Sequence, residues 1–108
     1  MIEAKVVLTA WDKTLETKDF SHLRIFLSND FKFENTTGDV GGITDTEAWS
    51  TAGAIRVNNF RTIRETDTYI VATHDVVQEG QPASSVLVYA EQSDGKFTYW
   101  KINRAFEG

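Results

Sequence analysis

The chain has 108 residues, of which 41% are hydrophobic and 25% are charged, a composition typical of one globular domain with a modest core. Its formal net charge of -5 disfavours nucleic acids and anionic membranes as partners, because both repel an acidic surface. Cysteine is absent from the sequence, which excludes disulfides, thiolate chemistry and sulfur ligands to metals.

The start of the chain and its apolar stretches bear on location. The segment MIEAKVVLTAWDK lacks the basic region and long apolar run of a signal peptide. No apolar stretch approaches the length needed to span a bilayer. We therefore predict a soluble, cytoplasmic protein made of a single domain over residues 1–108.

The first half of the chain has helical periodicity. One stripe of an amphipathic helix consists of Ala4, Val7, Leu8, Trp11 and Leu15. Asp19 can cap a second, short helix, whose apolar face consists of Phe20, Leu23, Phe26 and Leu27. The capping-box spacing of residues 44–47 predicts a third helix that continues to about Val57.

Alternation of apolar and polar residues predicts the strands. The first strand covers residues 31–36, and the glycine-rich segment 38–42 is predicted to be a loop. Four more strands are predicted at 60–65, 68–78, 83–92 and 96–106, and the pair Asp94-Gly95 indicates a tight turn before the last one. Helices followed by antiparallel strands indicate an α+β fold.

Four segments carry a resemblance to a known family: W-x-x-x-L-E-T-K-D-F (11–20), D-F-K-F-E-N (30–35), G-x-x-D-T-E-A-W (42–49) and S-D-G-K-F-x-Y-W-K (93–101). Together with the order of the elements, they resemble the SnoaL-like branch of the NTF2-like superfamily. The resemblance implies a cone in which three N-terminal helices pack on a curved, mainly antiparallel sheet around an internal cavity. It also implies a homodimer paired through the outer face of the sheet.

The same resemblance argues against one reaction of that family. Its ketosteroid isomerases place an Asp base at the end of the first strand, a position that falls on Asn35 here. An amide cannot accept a proton at useful pH. Their two oxyanion donors fall on Trp11 and near Tyr89. We therefore do not expect ketosteroid isomerisation.

The resemblance and strand alternation together predict which side chains line the cavity. The inward set is Phe31, Phe33, Asn35, Ile70, Ala72, His74, Val76, Ser85, Leu87, Tyr89, Glu91, Trp100, Ile102 and Arg104. The outward set is Val86, Val88 and Ala90, with Phe97 and Tyr99 beside them. An apolar outer patch of this kind indicates an interface, consistent with a homodimer.

The candidate site follows from these assignments. The predicted ligand-binding residues are Trp11, Phe33, Leu87, Trp100 and Arg104, and the predicted catalytic residues are His74, Tyr89 and Asn35. His74 could act as acid or base, with Tyr89 and Asn35 holding a substrate oxygen. Asp75 is expected to face away from His74, so the two do not form a dyad.

Each of these roles has a structural alternative. His74 could instead be bonded to Tyr89 or to the backbone, and Asn35 could cap the strand end. Arg104 could bind a ligand carboxylate or pair with Glu91. Trp11 and Trp100 could stack on a flat ligand or belong to the core.

Three functions remain open at this point. The first is binding of a small hydrophobic or aromatic molecule without turnover. The second is an isomerase, cyclase or dehydratase acting on a small hydrophobic carbonyl compound through His74. The third is an interaction module in which side chains fill the hollow and the outer face of the sheet binds a partner. No cofactor is predicted, and no metal site is predicted because His22 has no ligand companion.

Overall fold

The computed structural model describes residues 1–53 and 55–106 of the chain. The helices within these ranges are α1 (Ala4–Thr17), α2 (Ser21–Arg24) and α3 (Ile43–Ala52). The strands are β1 (Leu27–Glu34), β2 (Val40–Gly41), β3 (Ile55–Glu65), β4 (Tyr69–Gln78), β5 (Ser84–Ser93) and β6 (Lys96–Phe106). The last two residues of the predicted domain lie outside the described residues.

These strands form one sheet in the order β2-β1-β6-β5-β4-β3. As predicted, β3 to β6 form an antiparallel meander, whereas β1 pairs with β6 in parallel. Asp94 and Gly95 have φ values of 54° and 73°, as a two-residue hairpin turn of type I′ requires. The predicted α+β class is confirmed. No helix in the described ranges is long and apolar enough to cross a membrane.

Helix α1 supplies one wall of the core. The stripe predicted from its periodicity is buried: Ala4, Val7, Leu8, Trp11 and Leu15. The helix packs against β3, and Asp12 fixes it there by accepting two hydrogen bonds of 2.7 Å from the Arg56 guanidinium. Asp12 Oδ1 also accepts a hydrogen bond from the Val57 backbone N–H. The bonds from Arg56 lower the pKa of Asp12, so the pair is ionised at neutral pH.

Several predicted boundaries are wrong. The second helix ends at Arg24, and Leu27 already belongs to β1, which begins four residues before the predicted 31. The third helix ends at Ala52 instead of continuing to Val57, which lies in β3; residue 54 of that predicted helix lies outside the described residues. Its N-cap is Gly42, whose N–H donates to Asp45 Oδ2 at 3.1 Å.

The predicted loop at 38–42 contains the short strand β2, paired with β1. Gly41 is needed there because a Cβ atom at this position would lie 2.9 Å from Asp45 Cβ. The loop therefore lies close against the first turn of α3. This close approach holds the chain segment between β1 and α3 against the start of α3.

The predicted orientation of β5 is wrong by one residue. Val86, Val88 and Ala90 point inward and are buried, whereas Leu87 and Tyr89 are 44% and 38% exposed on the outer face. Directly paired residues of neighbouring strands share a face, and His74 pairs with Val86. Because β5 carries apolar residues on both faces, its alternation alone could not choose between them. Phe97, also predicted outward, is fully buried.

The corrected orientation can be tested with two neighbouring residues. Val88→Ala should lower the free energy of unfolding by about 2 kcal/mol, because it removes buried methyl groups and leaves a cavity. Leu87→Ala should change it by only about 0.5 kcal/mol, since its side chain is partly in water. Urea unfolding followed by circular dichroism measures both. A larger loss for Leu87→Ala than for Val88→Ala would contradict the observed orientation.

Candidate functional site

An apolar chamber of about 50 Å³ lies between the inner face of the sheet and helices α1 and α3. Its lining residues are Leu8, Trp11, Leu15, Phe33, Trp49, Ile55, Val57, His74, Val76, Val86, Trp100, Ile102 and Arg104. Among these residues, only His74 and Arg104 have ionisable side chains. The chamber is therefore apolar with two polar groups, the composition expected of a small-molecule site.

A wider and more open cavity of about 490 Å³, here called the vestibule, adjoins the chamber. Its rim is polar and includes Asn35 and Asp39, from the segment between β1 and α3, and Asp45, from the first turn of α3. Four residues line both spaces and are called the neck: Phe33, Trp49, Ile102 and Arg104. A molecule that occupies both spaces must therefore contact the neck.

Aromatic rings form the walls of the chamber and the neck. Trp11 packs against Trp100 with ring centroids 4.9 Å apart, and its indole N–H donates to Ser50 Oγ at 3.2 Å. Both indoles are nearly buried. Trp49, in contrast, is 50% exposed and lies 5.6 Å from the Phe33 ring. Phe33 and Trp49 are thus the rings that a molecule entering from the vestibule meets first.

His74 lies on β4 with 8% of its surface exposed. Its Nδ1 is 3.2 Å from the backbone oxygen of Asp75, and a carbonyl oxygen only accepts, so Nδ1 carries the proton. Burial lowers the pKa of His74, and the charge of Arg104 lowers it further, although the bond to Asp75 opposes this. The imidazole is therefore neutral at pH 7, with its lone pair on Nε2.

Asp75 lies on the opposite face of β4 from His74, as predicted. Its carboxylate accepts hydrogen bonds from Asn59 Nδ2 at 2.7 Å and Ser85 Oγ at 3.2 Å. No carboxylate is therefore among the residues that line the chamber with His74.

Arg104 projects from β6 to the neck. It lies on the same face as His74, because Val86 pairs with both residues across neighbouring strands. The Nε–H of Arg104 donates to the buried Ser84 Oγ at 2.8 Å, which fixes the orientation of the guanidinium. The alternative pairing with Glu91 is wrong, since Glu91 is on the outer face and accepts a hydrogen bond from Tyr89.

Asn35 lies just after β1 and organises the rim of the vestibule. Its Oδ1 accepts hydrogen bonds from the N–H groups of Thr37 and Asp39, each at 3.0 Å, and from the Thr37 hydroxyl at 2.8 Å. This is the strand-end role that the sequence left open. Asn35 lines the vestibule and is not among the residues of the chamber.

The structure brings most of the predicted site residues together. Trp11, Phe33, Trp100, Arg104 and His74 line the chamber. Two predictions are wrong: Leu87 and Tyr89 lie on the outer face, and the Tyr89 hydroxyl donates to Glu91 at 2.7 Å. The predicted group of His74, Tyr89 and Asn35 therefore does not assemble around one substrate oxygen.

Trp49 was missing from the predicted site. It lies on α3 one position before the buried Ser50 and three after the buried Thr46. This i, i+3, i+4 spacing places all three on neighbouring parts of one helix face, and that spacing was readable from the sequence. Among the described residues, no group of three His, Cys, Asp or Glu side chains could hold a metal ion.

The sequence matches no protein-family model and no curated protein. Its structure does resemble solved ones. An NTF2-like protein of unknown function from Cytophaga hutchinsonii is 13% identical, with 97% of this chain and 92% of that chain covered and a TM-score of 0.77.

Two further structures share the architecture at lower scores. A protein from Catenulispora acidiphila with a ketosteroid isomerase-like fold, solved in complex with trimethylamine, is 16% identical, covers 89% of this chain and 82% of its own, and has a TM-score of 0.65. A LEH-like epoxide hydrolase from M. tuberculosis is 18% identical, with 92% of this chain and 80% of that chain covered, and its TM-score is also 0.65. At these identities the likeness establishes architecture alone. The resemblance read from the sequence is confirmed at that level: the chain has the NTF2-like fold.

Proposed function

We propose that the protein binds a small hydrophobic or aromatic molecule across the vestibule and the chamber. The observation that carries this proposal is the aromatic neck, where Phe33 and the half-exposed Trp49 lie between a polar rim and an apolar interior. An apolar space of this kind favours apolar ligand groups because they leave water on binding. One protein of the same fold was solved with trimethylamine bound, which supports a small molecule as the ligand class.

The two volumes limit how such a ligand sits. An apolar cavity of about 150 Å³ holds one benzene molecule, so a chamber of about 50 Å³ admits only a small group. A ring must therefore remain in the vestibule against Phe33 and Trp49, with a short substituent in the chamber. In this arrangement Trp11 and Trp100 contact the substituent in the chamber and do not stack on the ring.

The ligand site can be tested at Trp49. Trp49→Ala should weaken binding by about tenfold, equivalent to roughly 1.4 kcal/mol, because it removes one face of the neck. Ile63→Ala is the matched control, since Ile63 is 58% exposed on β3 and lines neither space. Native mass spectrometry of the purified protein identifies any retained ligand, and titration of that ligand compares the variants. Equal affinity of both variants would contradict the proposed site.

A second candidate function is proton transfer next to a carbonyl group. The observation that favours it is the neutral His74, whose Nδ1 is held by a backbone oxygen and whose other nitrogen carries a lone pair. Nε2 would accept a proton from the carbon beside the carbonyl, and the enolate would take a proton back. The presence of an epoxide hydrolase among the proteins of this fold is consistent with enzymatic use of the cavity.

Deuterium uptake at that carbon in D2O, followed by NMR, tests this activity. The rate should be constant at neutral pH and fall only as the pH drops through the lowered pKa of His74, below its ordinary 6.5, because the base must be unprotonated. His74→Ala should reduce the rate by about a hundredfold or more while binding is largely kept. His22→Ala is the matched control, as the only other histidine of the sequence. Unchanged exchange in His74→Ala would exclude this mechanism.

A homodimer through the outer face of the sheet remains a proposal, with a corrected set of residues. This face exposes Leu87 and Tyr89, and the Tyr89 ring contacts those of Tyr69 and Tyr99 at 6.0 and 6.4 Å. The same face carries charges of both signs, including Glu91 and Lys101 beside Tyr89. A second copy related by a two-fold axis can therefore place opposite charges against each other.

Light scattering after size exclusion tests the dimer. Leu87→Glu should convert a dimer into a monomer, because it places a charge in the centre of an apolar contact. Ile25→Glu is the control, since Ile25 is 62% exposed and lies outside the sheet. A wild-type protein that is monomeric at all concentrations, or a Leu87→Glu variant that stays dimeric, would exclude this interface.

A further inference from the structure

The chamber is almost without hydrogen-bond acceptors. Its lining side chains are aliphatic or aromatic except for His74 and Arg104. Indole and guanidinium groups only donate hydrogen bonds, so neither the tryptophans nor Arg104 can accept one. The Nδ1–H of His74 is bonded to the backbone oxygen of Asp75. Among the described residues that line the chamber, His74 Nε2 is therefore the one side-chain atom that can accept a hydrogen bond from a ligand.

The Nε2 atom borders the open space of the chamber. In the part of the chain that the structure describes, Thr14 Oγ1 is the single side-chain polar atom that is fully enclosed without a hydrogen bond. No donor of these residues bonds to His74 Nε2 either, so Nε2 keeps accessible surface, and the space that His74 lines is the chamber. Because His74 is only 8% exposed, this acceptor is largely withdrawn from bulk water. A buried acceptor without a partner is unfavourable, and a ligand donor that pairs with it is correspondingly favoured.

The group that pairs with Nε2 must be small and must carry a donor. A carboxylate has no donor, and its lone pairs would face the lone pair of the imidazole. An ammonium group has three donors for one acceptor, and it would bring its charge into an apolar space. A hydroxyl has a single O–H to donate and carries no charge. The chemistry of the chamber therefore favours a hydroxyl at the end of the ligand that enters it.

The sizes of the two spaces determine the rest of the ligand. The chamber of about 50 Å³ admits a short chain that ends in a hydroxyl, but it is too small for a ring. The ring remains in the vestibule, where the side chains of Phe33 and Trp49 lie with their centroids 5.6 Å apart. Both of these side chains also line the chamber, so the chain between ring and hydroxyl passes through the neck.

We propose that the ligand is a neutral aryl alcohol of the 2-phenylethanol type, with its hydroxyl donating to His74 Nε2 in the chamber and its ring against Phe33 and Trp49 in the vestibule. This proposal rests on the small-molecule function proposed above and specifies its ligand class. It involves no covalent step. The burial that lowers the pKa of His74 supports it, because a neutral imidazole keeps its lone pair at pH 7.

Two probes of nearly equal size test the hydroxyl on the wild-type protein: 2-phenylethanol and 2-fluoroethylbenzene. The second probe keeps the ring and the chain but has no O–H. Protein labelled with nitrogen-15 is titrated with each probe at neutral pH, and two-dimensional NMR follows the indole N–H signals, because the three tryptophans of the sequence all line the chamber. The same spectra follow Nε2 of His74. The alcohol should move the Nε2 resonance to lower frequency, as happens when a ring-nitrogen lone pair accepts a hydrogen bond, whereas the fluoride should shift only the indole signals.

Variants assign the recognition of the hydroxyl to His74. His74→Leu removes the acceptor, so the ratio of the affinity for the alcohol to the affinity for the fluoride should fall by about fivefold, the effect of one net hydrogen bond. His74→Gln keeps an amide oxygen that can accept, and it should retain much of this ratio. His22→Leu is the matched control, because His22 lines neither space. Its ratio should equal that of the wild-type protein.

The outcomes distinguish this inference from the proposed function. If both probes shift the indole signals and the alcohol leaves the Nε2 resonance where the fluoride leaves it, the hydroxyl assignment is wrong and the small-molecule site stands. If the affinity ratio is the same in His74→Leu and in the wild-type protein, the assignment to His74 is wrong. If neither probe shifts an indole signal, the aryl alcohol class is wrong, and the affinity of Trp49→Ala for a retained ligand then decides the proposed function. The wild-type titration decides the hydroxyl even if a substitution at His74 prevents folding.

Discussion

The packing of the Trp11 indole holds together the parts of the fold that enclose the site. Trp11 lies on α1, contacts Trp100 of β6 at 4.9 Å and Phe33 of β1 at 5.9 Å, and donates its N–H to Ser50 of α3. One side chain thus joins two helices to two strands. Buried indoles contribute a large apolar area together with a hydrogen-bond donor. The Trp11 ring is inclined at 58° to Trp100 and at 62° to Phe33, and rings inclined in this way leave a small space between them.

Burial also decides the electrostatics of the site. A group that loses its hydration shell is held in its neutral form unless an opposite charge compensates. Burial lowers the pKa of His74 more than Asp75 raises it, because the Asp75 carboxylate faces the other side of β4 and forms its bonds there. Arginine stays charged in proteins, so Arg104 is the cation of the pair. The same alternation that builds the sheet therefore gives the chamber one neutral acceptor and one cationic donor.

Much of this arrangement was readable from the sequence. Periodicity located the buried face of α1. Alternation together with the family resemblance located His74 among the inward positions of β4, and Trp100 and Arg104 among those of β6. In α1 the pattern has one solution, because four other buried apolar residues share a single helix face with Trp11. The final turn was equally readable, since Asp94-Gly95 adopts positive φ at both residues.

The predictions are wrong where the alternation of a strand allows either face to point inward, or where a tertiary contact determines the secondary structure. In β5, Val88 and Leu87 are both good strand residues, and only the pairing of His74 with Val86 determines which faces inward. In β3, Val57 continues the helical pattern of α3, but its N–H is held by Asp12 of α1. A contact across 45 residues cannot be read from local periodicity. The misplaced Tyr89 and Leu87 follow from the first of these errors.

The neck explains how a common fold can carry a particular specificity. Proteins of this architecture share the sheet and the helices at sequence identities of 13% to 18% in the cases described, so the shared part is the scaffold. Here the volume beyond the neck is too small for a ring, and the polar groups within it are one cation and one neutral acceptor. Under the binding function proposed above, Arg104 and His74 are therefore the side chains of the chamber that meet the polar atoms of a ligand. Because both residues sit on regular strands with fixed hydrogen-bond partners, their positions are set before any ligand arrives, and little of the binding free energy is lost in ordering them.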